Sequence, residues 1–522
     1  MRKVLLAAAA ALGVVSAAQA QTLNVMAPIE TAHHDPARTT SPSFIIYLVA
    51  DTLVSLDYDL KTIQPLLAKS WTISEDGKTY TFKLRDDVTF CSGKKFTAAD
   101  VVYSVKRVVD KETKSPFYWR MGKVKDVRAS DPYTVEYELD EPYSELLPNL
   151  AMFQASILNE DNVKELGRDF GVKGIDGTGP YCFTSWEPRN QTVVTRRPEY
   201  KWGPPFYANR GPAKFEKIVT KIVPEEASRL AAMASGQLDV TQVLGMPDQY
   251  LPQVAKMPTL SILHPEREMR TFYLGFKITR ENVADVRVRQ ALSLAVQRKP
   301  IAEQVYFGNA EPALTYVHPK TPDFNPDTPA YLGKYDPAES ARLLDDAGWK
   351  LGVDGFRYKD GKKLTLQLYG FAGGRSPKVA EAVQGDWRKI GVDLQVQMWD
   401  GTIVFSKLAQ QDYDIWSIAY PYTSVGDAAN LYYHSKNVPT PNRMNWKDKE
   451  TDEWLDAGSA ALTEKERYEY FSKVMKKVHE NALWVPIVHE GVVMVANKKL
   501  KNLKAHNPYP SFLLYKALDV SL

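Results

Sequence analysis

The sequence has little of what catalysis or nucleic-acid binding requires. It contains no HExxH, GxSxG or Walker phosphate-loop motif, and its glycine-rich stretch 370–378 lacks the Gly-Lys-Ser/Thr order that cradles a phosphate. The eight histidines fit no zinc or nucleophile spacing, so we interpret the adjacent pair His33-His34 as part of a polar loop. The formal net charge of +3 is too small to indicate a polyanion partner. We expect no catalytic residue, no metal or cofactor and no nucleic-acid partner.

Long hydrophobic runs are also missing, with one exception at the N-terminus. There a basic pair precedes the apolar run 4–18, and the small-x-small pattern of a cleavage site ends at Ala20. This run is shorter than the roughly 20 apolar residues that span a membrane, and so is the stretch 483–496, which Glu490 also interrupts. We therefore interpret 1–20 as a cleavable signal peptide and expect a mature protein that is exported to a bacterial periplasm.

Cysteine is almost absent, and the two residues present, Cys91 and Cys182, are too few for a disulfide framework. An oxidising compartment permits one bridge between them. Two buried free thiols are the alternative, because a sequence does not reveal whether two Cα atoms approach within about 7 Å. The disulfide is therefore a hypothesis that a thiol titration can test.

What the sequence does contain is typical of a multidomain globular protein. Its 522 residues exceed what one hydrophobic core serves, which predicts two or three domains. Near mid-chain the aromatic run 271–276 predicts a buried strand, and Asp285 can cap a helix whose apolar residues recur at spacings of three and four. We expect Arg289 and Arg298 on the opposite face of this helix. Together these elements indicate the start of a second lobe.

Strand and helix signals alternate along the rest of the chain. Alternating residues predict strands at 79–84 and 134–139, and Thr97 with Asp100 three residues later approximates a capping box. Proline near the start and glycine past the end mark two helices, which begin near 337 and 377. Three further predicted strands are 364–369, 392–398 and 484–495. The alternation predicts an α/β sheet.

Four stretches resemble one family of transport proteins. They are the mid-chain segment with YLGFK and VADVRVRQALSLAVQR, the segment 65–107 (PLLAKSWTISEDGKTYTFKLRDDVTFCSGKKFTAADVVYSVKR), the GTGPY turn 177–181, and the segment 214–240. On these motifs the chain resembles the bacterial extracellular solute-binding proteins, family 5, which serve dipeptide, oligopeptide and nickel transport. The resemblance covers nearly the whole mature chain.

The resemblance implies a fold and a function. The fold is α/β and two-lobed, a type II periplasmic-binding-protein fold of the large cluster, with an extra subdomain in lobe one and a ligand cleft between the lobes. The implied domains are lobe one at 21–269 with the inserted subdomain at about 45–176, lobe two at 270–490, and a return to lobe one at 491–522. Such a protein is expected to be a monomer that traps a solute and hands it to the permease of an ABC transporter in the inner membrane.

By position relative to the family motifs, three groups of residues are candidates for the cleft. The loop Thr39-Thr40-Ser41 matches a lobe-one segment that contacts ligand. Lobe two offers the loop 370–376 and the segment 413–430, whose rings and polar tips are typical of a small-molecule site. The candidates in lobe two are Arg375, Trp399, Trp416, Tyr420, Tyr422 and Asp427. For Trp399 and Trp416 the alternative is a place in the core.

Arg375 is the candidate for holding a solute carboxylate. It precedes a helix start in a glycine-rich loop, where dipeptide-binding members of the family carry an arginine for the peptide C-terminus, although the spacing to the helix differs here by several residues. A guanidinium suits this role because its planar fork donates two parallel hydrogen bonds. The alternative is a solvated loop arginine.

One departure from the family bears on the solute. Peptide-binding members carry an aspartate for the peptide α-ammonium, and alignment of the Gly-Asp pair at 426–427 places Ser424 and its neighbours at that point. A hydroxyl does not neutralise a desolvated ammonium. Unless Asp427 or Glu30 substitutes, we expect a peptide-like or opine-like solute whose amine is substituted or absent, with ordinary di- and oligopeptides as the alternative.

Two other functional classes are open at this point. A secreted hydrolase would need a nucleophile or metal constellation, and turnover of model peptides or esters would reveal it. A periplasmic chaperone or adaptor could use the same lobes to bind unfolded chains. Saturable one-to-one binding of a small solute would separate a transport component from the chaperone.

Overall fold

The computed structural model describes residues 21–28, 30–39, 44–242, 245–267, 270–332, 334–506 and 514–522, with the backbone alone at 401–402 and 420–421. The predicted signal peptide, Thr40 and Ser41 therefore lie outside the described residues. Within the described part of the chain, two mixed β-sheets form the centres of two lobes. None of the described helices is both long and apolar enough to cross a membrane.

The first half of the chain contributes to the part of the molecule that we call lobe one. Its strands are β1 (Thr22–Ala27), β2 (Val54–Leu56), β3 (Ile63–Pro65), β4 (Ala68–Ile73), β5 (Thr79–Leu84), β6 (Val124–Asp131), β7 (Thr134–Leu139), β8 (Tyr181–Glu187), β9 (Gln191–Arg196), β10 (Lys217–Ile222), β11 (Val240–Thr241) and β12 (Leu260–Leu263). Its helices are α1 (Ile45–Val49), α2 (Ala98–Val109), α3 (Leu146–Leu150), α4 (Glu160–Leu166), α5 (Glu226–Ala234) and α6 (Leu251–Val254).

The second half forms the part that we call lobe two. Its strands are β13 (Arg270–Phe276), β14 (Ala310–Pro312), β15 (Lys350–Leu351), β16 (Arg357–Lys359), β17 (Lys362–Lys363), β18 (Thr365–Phe371), β19 (Asp393–Trp399), β20 (Ile415–Pro421) and β21 (Trp484–Glu490), after which β22 (Met494–Asn497) follows. Its helices are α7 (Glu281–Ala284), α8 (Val286–Leu294), α9 (Arg298–Gln304), α10 (Pro337–Asp346), α11 (Ser376–Lys389), α12 (Gly401–Ala409), α13 (Val425–Tyr433), α14 (Lys449–Ala460) and α15 (Glu464–Glu480).

The sheet of lobe one takes strands from both ends of the chain. In the described residues its order is β12-β22-β11-β1-β10-β9-β8, with β1 parallel to β10 and β11. A separate sheet, β4-β5-β7-β6, carries the segment inserted after α1. The helix α2 packs against that sheet, and the capping box predicted at Thr97 and Asp100 is present at its start. The signature segment 65–107 is therefore scaffold, as its pattern predicted.

The sheet of lobe two is organised around the mid-chain strand. Its order in the described residues is β14-β21-β13-β20-β18-β19, and β13 pairs antiparallel with both β20 and β21. Residues 271–276 of β13 are all buried, which confirms the predicted strand. A Cβ at Gly275 would lie 2.4 Å from Nε1 of Trp416, so glycine is needed for this ring to pack on the strand. The cap predicted at Asp285 is also present, because its carboxylate accepts the N–H of Arg287 at 2.9 Å.

The expectation that Arg289 and Arg298 lie on an exposed face is wrong. Both side chains are buried, and their guanidinium groups donate to main-chain carbonyls. Arg289 donates to the carbonyl of Asn481 at 2.7 Å, and Arg298 donates to that of Pro486 at 2.7 Å. An arginine fork can satisfy several carbonyls at once, so these residues join α8 and α9 to α15 and β21.

The chain crosses between the two sheets twice, between β12 and β13 and again between β21 and β22. The prediction of one strand at 484–495 is therefore wrong, since residues 491–493 separate two strands that belong to different sheets. A Cβ at Gly491 would lie 2.2 Å from Oδ1 of Asn309, so the crossing runs close to lobe two. The two-lobed α/β fold class is confirmed. The domain limits implied at 270 and 490 fall at these crossings, while the division into domains stays a prediction.

The structure joins Cys91 and Cys182 in a disulfide, with Cα atoms 5.9 Å apart. This separation lies within the range that a bridge requires. The bond ties the loop after the first hairpin of the inserted segment to β8, and the N–H of Cys91 also donates to the carbonyl of Gly177 in the GTGPY turn at 3.0 Å. Its presence in the mature protein remains a prediction.

The pair His33-His34 is only partly the polar loop that we expected. His34 is 1% exposed, and burial lowers its pKa to about 4. Its ring lies edge-on to Trp186, 5.2 Å between centroids, so it packs as a neutral aromatic group. Among the described residues, no cluster of three or more His, Cys, Asp or Glu side chains is arranged to hold a metal ion.

Candidate functional site

Arg375 lies at the interface between the lobes. It follows the C-terminal end of β18 and occupies the N-cap position of α11. Its Nε and Nη2 both donate to the carboxylate of Asp248, which belongs to a 3₁₀ turn of lobe one. Asn309 of lobe two donates to the same carboxylate at 2.8 Å. Arg375 is therefore not a solvated loop arginine, and its fork already holds one carboxylate from the opposite lobe.

A second carboxylate completes this charged cluster. Glu490, the last residue of β21, lies 3.7 Å from Nη1 of Arg375 and 3.1 Å from Nε of Arg270. The hydroxyl of Tyr306 donates to Glu490 at 2.9 Å. Burial alone would lower the pKa of Arg375, but Glu490 and Asp248 outweigh it and raise that pKa. Two arginines and two carboxylates thus balance one another beside the crossing strands.

A buried ion pair joins the inserted segment to lobe two. Nη2 of Arg120, in the 3₁₀ turn Tyr118–Met121, donates to Asp427 at 3.0 Å, and each side chain is 1% exposed. Asp427 lies in the first turn of α13 and also accepts the N–H of Thr423 at 3.0 Å. Asn149 accepts a further hydrogen bond from Arg120 at 3.0 Å. Removing one partner of such a pair leaves the other charge buried without a counter-ion, which is strongly destabilising.

Glu145 approaches lobe two beside this pair. The hydroxyl of Ser424 donates to its carboxylate and accepts the N–H of Asp427 at 2.8 Å, so Ser424 also caps α13. A Cβ at Gly426 would lie 2.8 Å from Oε1 of Glu145, and glycine therefore allows the carboxylate to come this close. Burial, followed by the charge of Asp427, raises the pKa of Glu145 to about 7. Near pH 7 the protonated and the ionised forms of Glu145 are therefore both populated.

A cavity of about 80 Å³ lies between the lobes next to Glu145. Its walls mix apolar side chains with charged ones, as small-molecule sites do. From lobe one it is lined by Leu56, Leu60, Lys61, Ser144, Glu145, Pro148 and Met152, and from lobe two by Pro322, Asp323, Thr423, Ser424 and Arg467. Arg467 pairs with Asp323 at 3.0 Å, and Lys61 pairs with Glu464.

The predicted aromatic site residues do not share one environment. Trp416 and Tyr422 are fully buried in the aromatic core of lobe two, where Trp416 lies edge-on to Tyr273 with centroids 5.5 Å apart. Trp399 is half-buried at the end of β19 and packs on Tyr369. Tyr420 is paired with Thr271 in the sheet, and its side chain is not described.

The remaining predicted residues have different surroundings. Thr39 is buried in lobe one, and Thr40 and Ser41 lie outside the described residues. Asp427 is engaged by Arg120. Glu30 is engaged elsewhere, since it accepts the N–H of Arg189 at 2.5 Å. Both oxygens of Asp427 and one oxygen of Glu30 therefore already accept hydrogen bonds from the protein.

Sequence reasoning missed Asp248, Glu490, Arg120 and Glu145 as members of this interface. One signal could have found Glu490, because a charged residue inside the apolar run 483–496 is costly unless it is paired. The other three belong to lobe one, and no spacing or motif marks them. Each meets its partner in lobe two only because the two lobes face each other.

The fold and this interface define a two-lobed binding protein. The chain belongs to the bacterial extracellular solute-binding proteins, family 5, whose "family 5 Middle" model matches residues 62–440. It is a solute-binding protein, as the resemblance implied.

Individual relatives span nearly the whole chain. The chain is 27% identical to the nickel-binding periplasmic protein of Escherichia coli K12 over 509 residues, which cover 94% of this chain and 93% of that protein. It is 26% identical to di/tripeptide-binding protein 1 of Pseudomonas aeruginosa, over 91% of this chain and 90% of that one. Among solved structures, NikA from Brucella suis in complex with Fe(III)-EDTA is 25% identical with a TM-score of 0.82, covering 95% of this chain and 99% of that chain.

A second solved structure shows the same fold. DppA from Helicobacter pylori, in complex with the peptide STSA, has a TM-score of 0.81 over 96% of this chain and 98% of that chain, at 23% identity.

Proposed function

We propose that this protein captures a peptide or peptide-like solute, opine-like conjugates included, between its two lobes in the periplasm and delivers it to the permease subunits of an ABC importer. It acts as a monomer and carries out no reaction on the solute. The signal peptide 1–20 directs its export. Relatives that bind di- and tripeptides support the solute class.

The observation that carries this proposal is the set of polar contacts between the lobes. Arg375 binds Asp248 and Arg120 binds Asp427, and all four side chains come out of water when the lobes meet. Such contacts exist only in the closed form, so they favour closure, while the desolvation of four charges opposes it. Because the two effects oppose each other, a solute that binds the closed form can shift the equilibrium between the open and closed forms.

The size of the required effect is modest. Moving an open-closed equilibrium from 1:99 to 99:1 takes about 5.5 kcal/mol of preference for the closed form. Hydrogen bonds to charged groups contribute about 1.5–3 kcal/mol each, so two or three of them suffice. A solute carboxylate that takes the place of Asp248 on the fork of Arg375 forms two such bonds but replaces two that already exist, so the net preference comes from the further contacts of the solute with both lobes. In the structure Asp248 thus occupies the position that we assign to the solute.

The test is mass spectrometry of the solute that copurifies with the mature protein. We expect a molecule with a carboxylate, present at up to one copy per protein, and an N-terminus at Gln21. Binding of the same molecule should be restored after it has been removed by unfolding and refolding. A protein that carries no solute and binds no member of a di- and tripeptide library would contradict the proposal.

A further inference from the structure

Glu145 differs from the other charged side chains that line the cavity between the lobes. Lys61 is paired with Glu464, and Asp323 is paired with Arg467 at 3.0 Å. Glu145 makes no ion pair with any described residue, although it is only 7% exposed. A buried carboxyl group without a cation is costly when ionised.

The surroundings of Glu145 do not supply the missing charge. Asp427 and Asp323 face it and oppose its ionisation, and Arg120 favours ionisation but is itself bonded to Asp427. Its neighbour Tyr143 carries no charge at neutral pH, because burial raises the pKa of that phenol well above its ordinary value. The hydroxyl of Ser424 is neutral as well. The site therefore holds one more carboxyl group than the positive groups can match.

We infer that Glu145 is the receptor for a positively charged group of the solute, an ammonium or a substituted ammonium, in the cavity between the lobes. The inference rests on the proposed function and names the chemistry of its solute. A cation placed in the cavity would contact the carboxylate directly, and the hydroxyl groups of Ser424 and Thr423 can accept its remaining N–H groups. The volume of about 80 Å³ is several times the roughly 10–15 Å³ that one water needs, so it admits a small organic group.

The assignment of Glu145 changes the expectation, drawn from Ser424, that the amine of the solute is substituted or absent. That expectation considered Asp427 and Glu30 as the carboxylates that could reach an amine, and both have other partners. Glu145 comes from lobe one, from a segment 279 residues away from Ser424. An amine with alkyl substituents keeps its charge and fits the site, whereas an acylated amine is neutral and does not.

The experiment compares three versions of one dipeptide mixture, with free, N-methylated and N-acetylated amines, by tryptophan fluorescence and calorimetry. The protein variants are the wild type, Glu145→Gln and the control Glu141→Gln, whose carboxylate is exposed and pairs with Lys123. Hydrogen bonds to a charged group correspond to about 10- to 100-fold in affinity. The wild type and Glu141→Gln should bind the free and N-methylated peptides tighter than the N-acetylated ones by that factor, and Glu145→Gln should lose the preference.

Each outcome decides the inference. Glu145→Gln has the shape of the protonated acid, so it should fold, and a melting temperature at least as high as that of the wild type at pH 7 checks this. If the wild type binds N-acetylated peptides equally well, or Glu145→Gln keeps the preference, the inference is wrong while the proposed function stands. A copurifying solute without a cationic group would also contradict the inference and leave the proposed function standing. If no peptide binds and no solute copurifies, the proposed function fails as well.

Discussion

Replacing Asp427 by asparagine should weaken solute binding strongly without changing the size or shape of the side chain. Asp427 accepts from Arg120 with one oxygen and from the N–H of Thr423 with the other, each at 3.0 Å. In the variant, the amide NH₂ group must face one of these donors. Arg120 then keeps Asn149 at 3.0 Å and the ring of Trp119 at 4.6 Å, but it loses the carboxylate to which it is hydrogen-bonded.

Removing one partner of a buried ion pair costs about 3–5 kcal/mol. We expect the lower end for Asp427→Asn, because Arg120 keeps a neutral acceptor. The two residues belong to different lobes, so the cost falls on the closed form, where both are 1% exposed. About 3 kcal/mol corresponds to an affinity roughly 100-fold weaker. Calorimetric titration with the copurifying solute measures it, and X-ray scattering should show more of the open form.

Two further variants make this prediction refutable. Asp412→Asn removes a lobe-two carboxylate that is 74% exposed, and it should change the affinity by less than about 1 kcal/mol. The double variant Arg120→Met with Asp427→Leu removes both buried charges and should recover most of the affinity, since an apolar pair avoids desolvation. Wild-type affinity in Asp427→Asn would show that the Arg120–Asp427 pair does not contribute to closure.

Three other predictions concern single groups. Arg375→Ala should bind the copurifying solute at least about 10-fold more weakly, because the fork that holds a carboxylate is lost; unchanged affinity would remove Arg375 from the site. The denatured, unreduced mature protein should show no titratable thiol, and two thiols would exclude the bridge between Cys91 and Cys182. Since burial raises the pKa of Glu145 to about 7 from 4.5, the folded state holds a proton that the unfolded chain releases. Stability should therefore fall between about pH 4.5 and 7, by at most about 1.4 kcal/mol per pH unit, and Glu145→Gln should remove this dependence in thermal unfolding; an identical slope in both proteins would contradict it.

Local signals predicted much of the fold. The strand at 271–276, the cap at Asp285 and the capping box at Thr97 were readable because each depends on residues a few positions apart. Arg289 and Arg298 were misplaced because polar residues on a helix face are ordinarily solvated, and only tertiary structure brings carbonyl acceptors to them. The pattern at 484–495 predicts one continuous strand because an apolar run does not reveal that its two halves join different sheets.

The site was harder to predict than the fold. Arg375 was found from its position before a helix, but its partner Asp248 lies 127 residues away in the other lobe. Glu145 and Ser424 are 279 residues apart, and no periodicity links them. Trp416 has the composition of a site residue, yet Gly275 allows its ring to pack in the core. Contacts between lobes depend on the closed arrangement, which the sequence pattern does not contain.

The proposed function requires that the two lobes close on one small solute. The most direct measurement is a calorimetric titration of the solute-free mature protein with the solute that copurifies with it, followed by X-ray scattering of both states. We predict saturation at one solute per chain, a smaller radius of gyration in the bound state, and recovery of the solute chemically unchanged. Binding that does not saturate, a number of bound molecules per chain that varies with the molecule added, or chemical conversion of the solute would contradict this prediction.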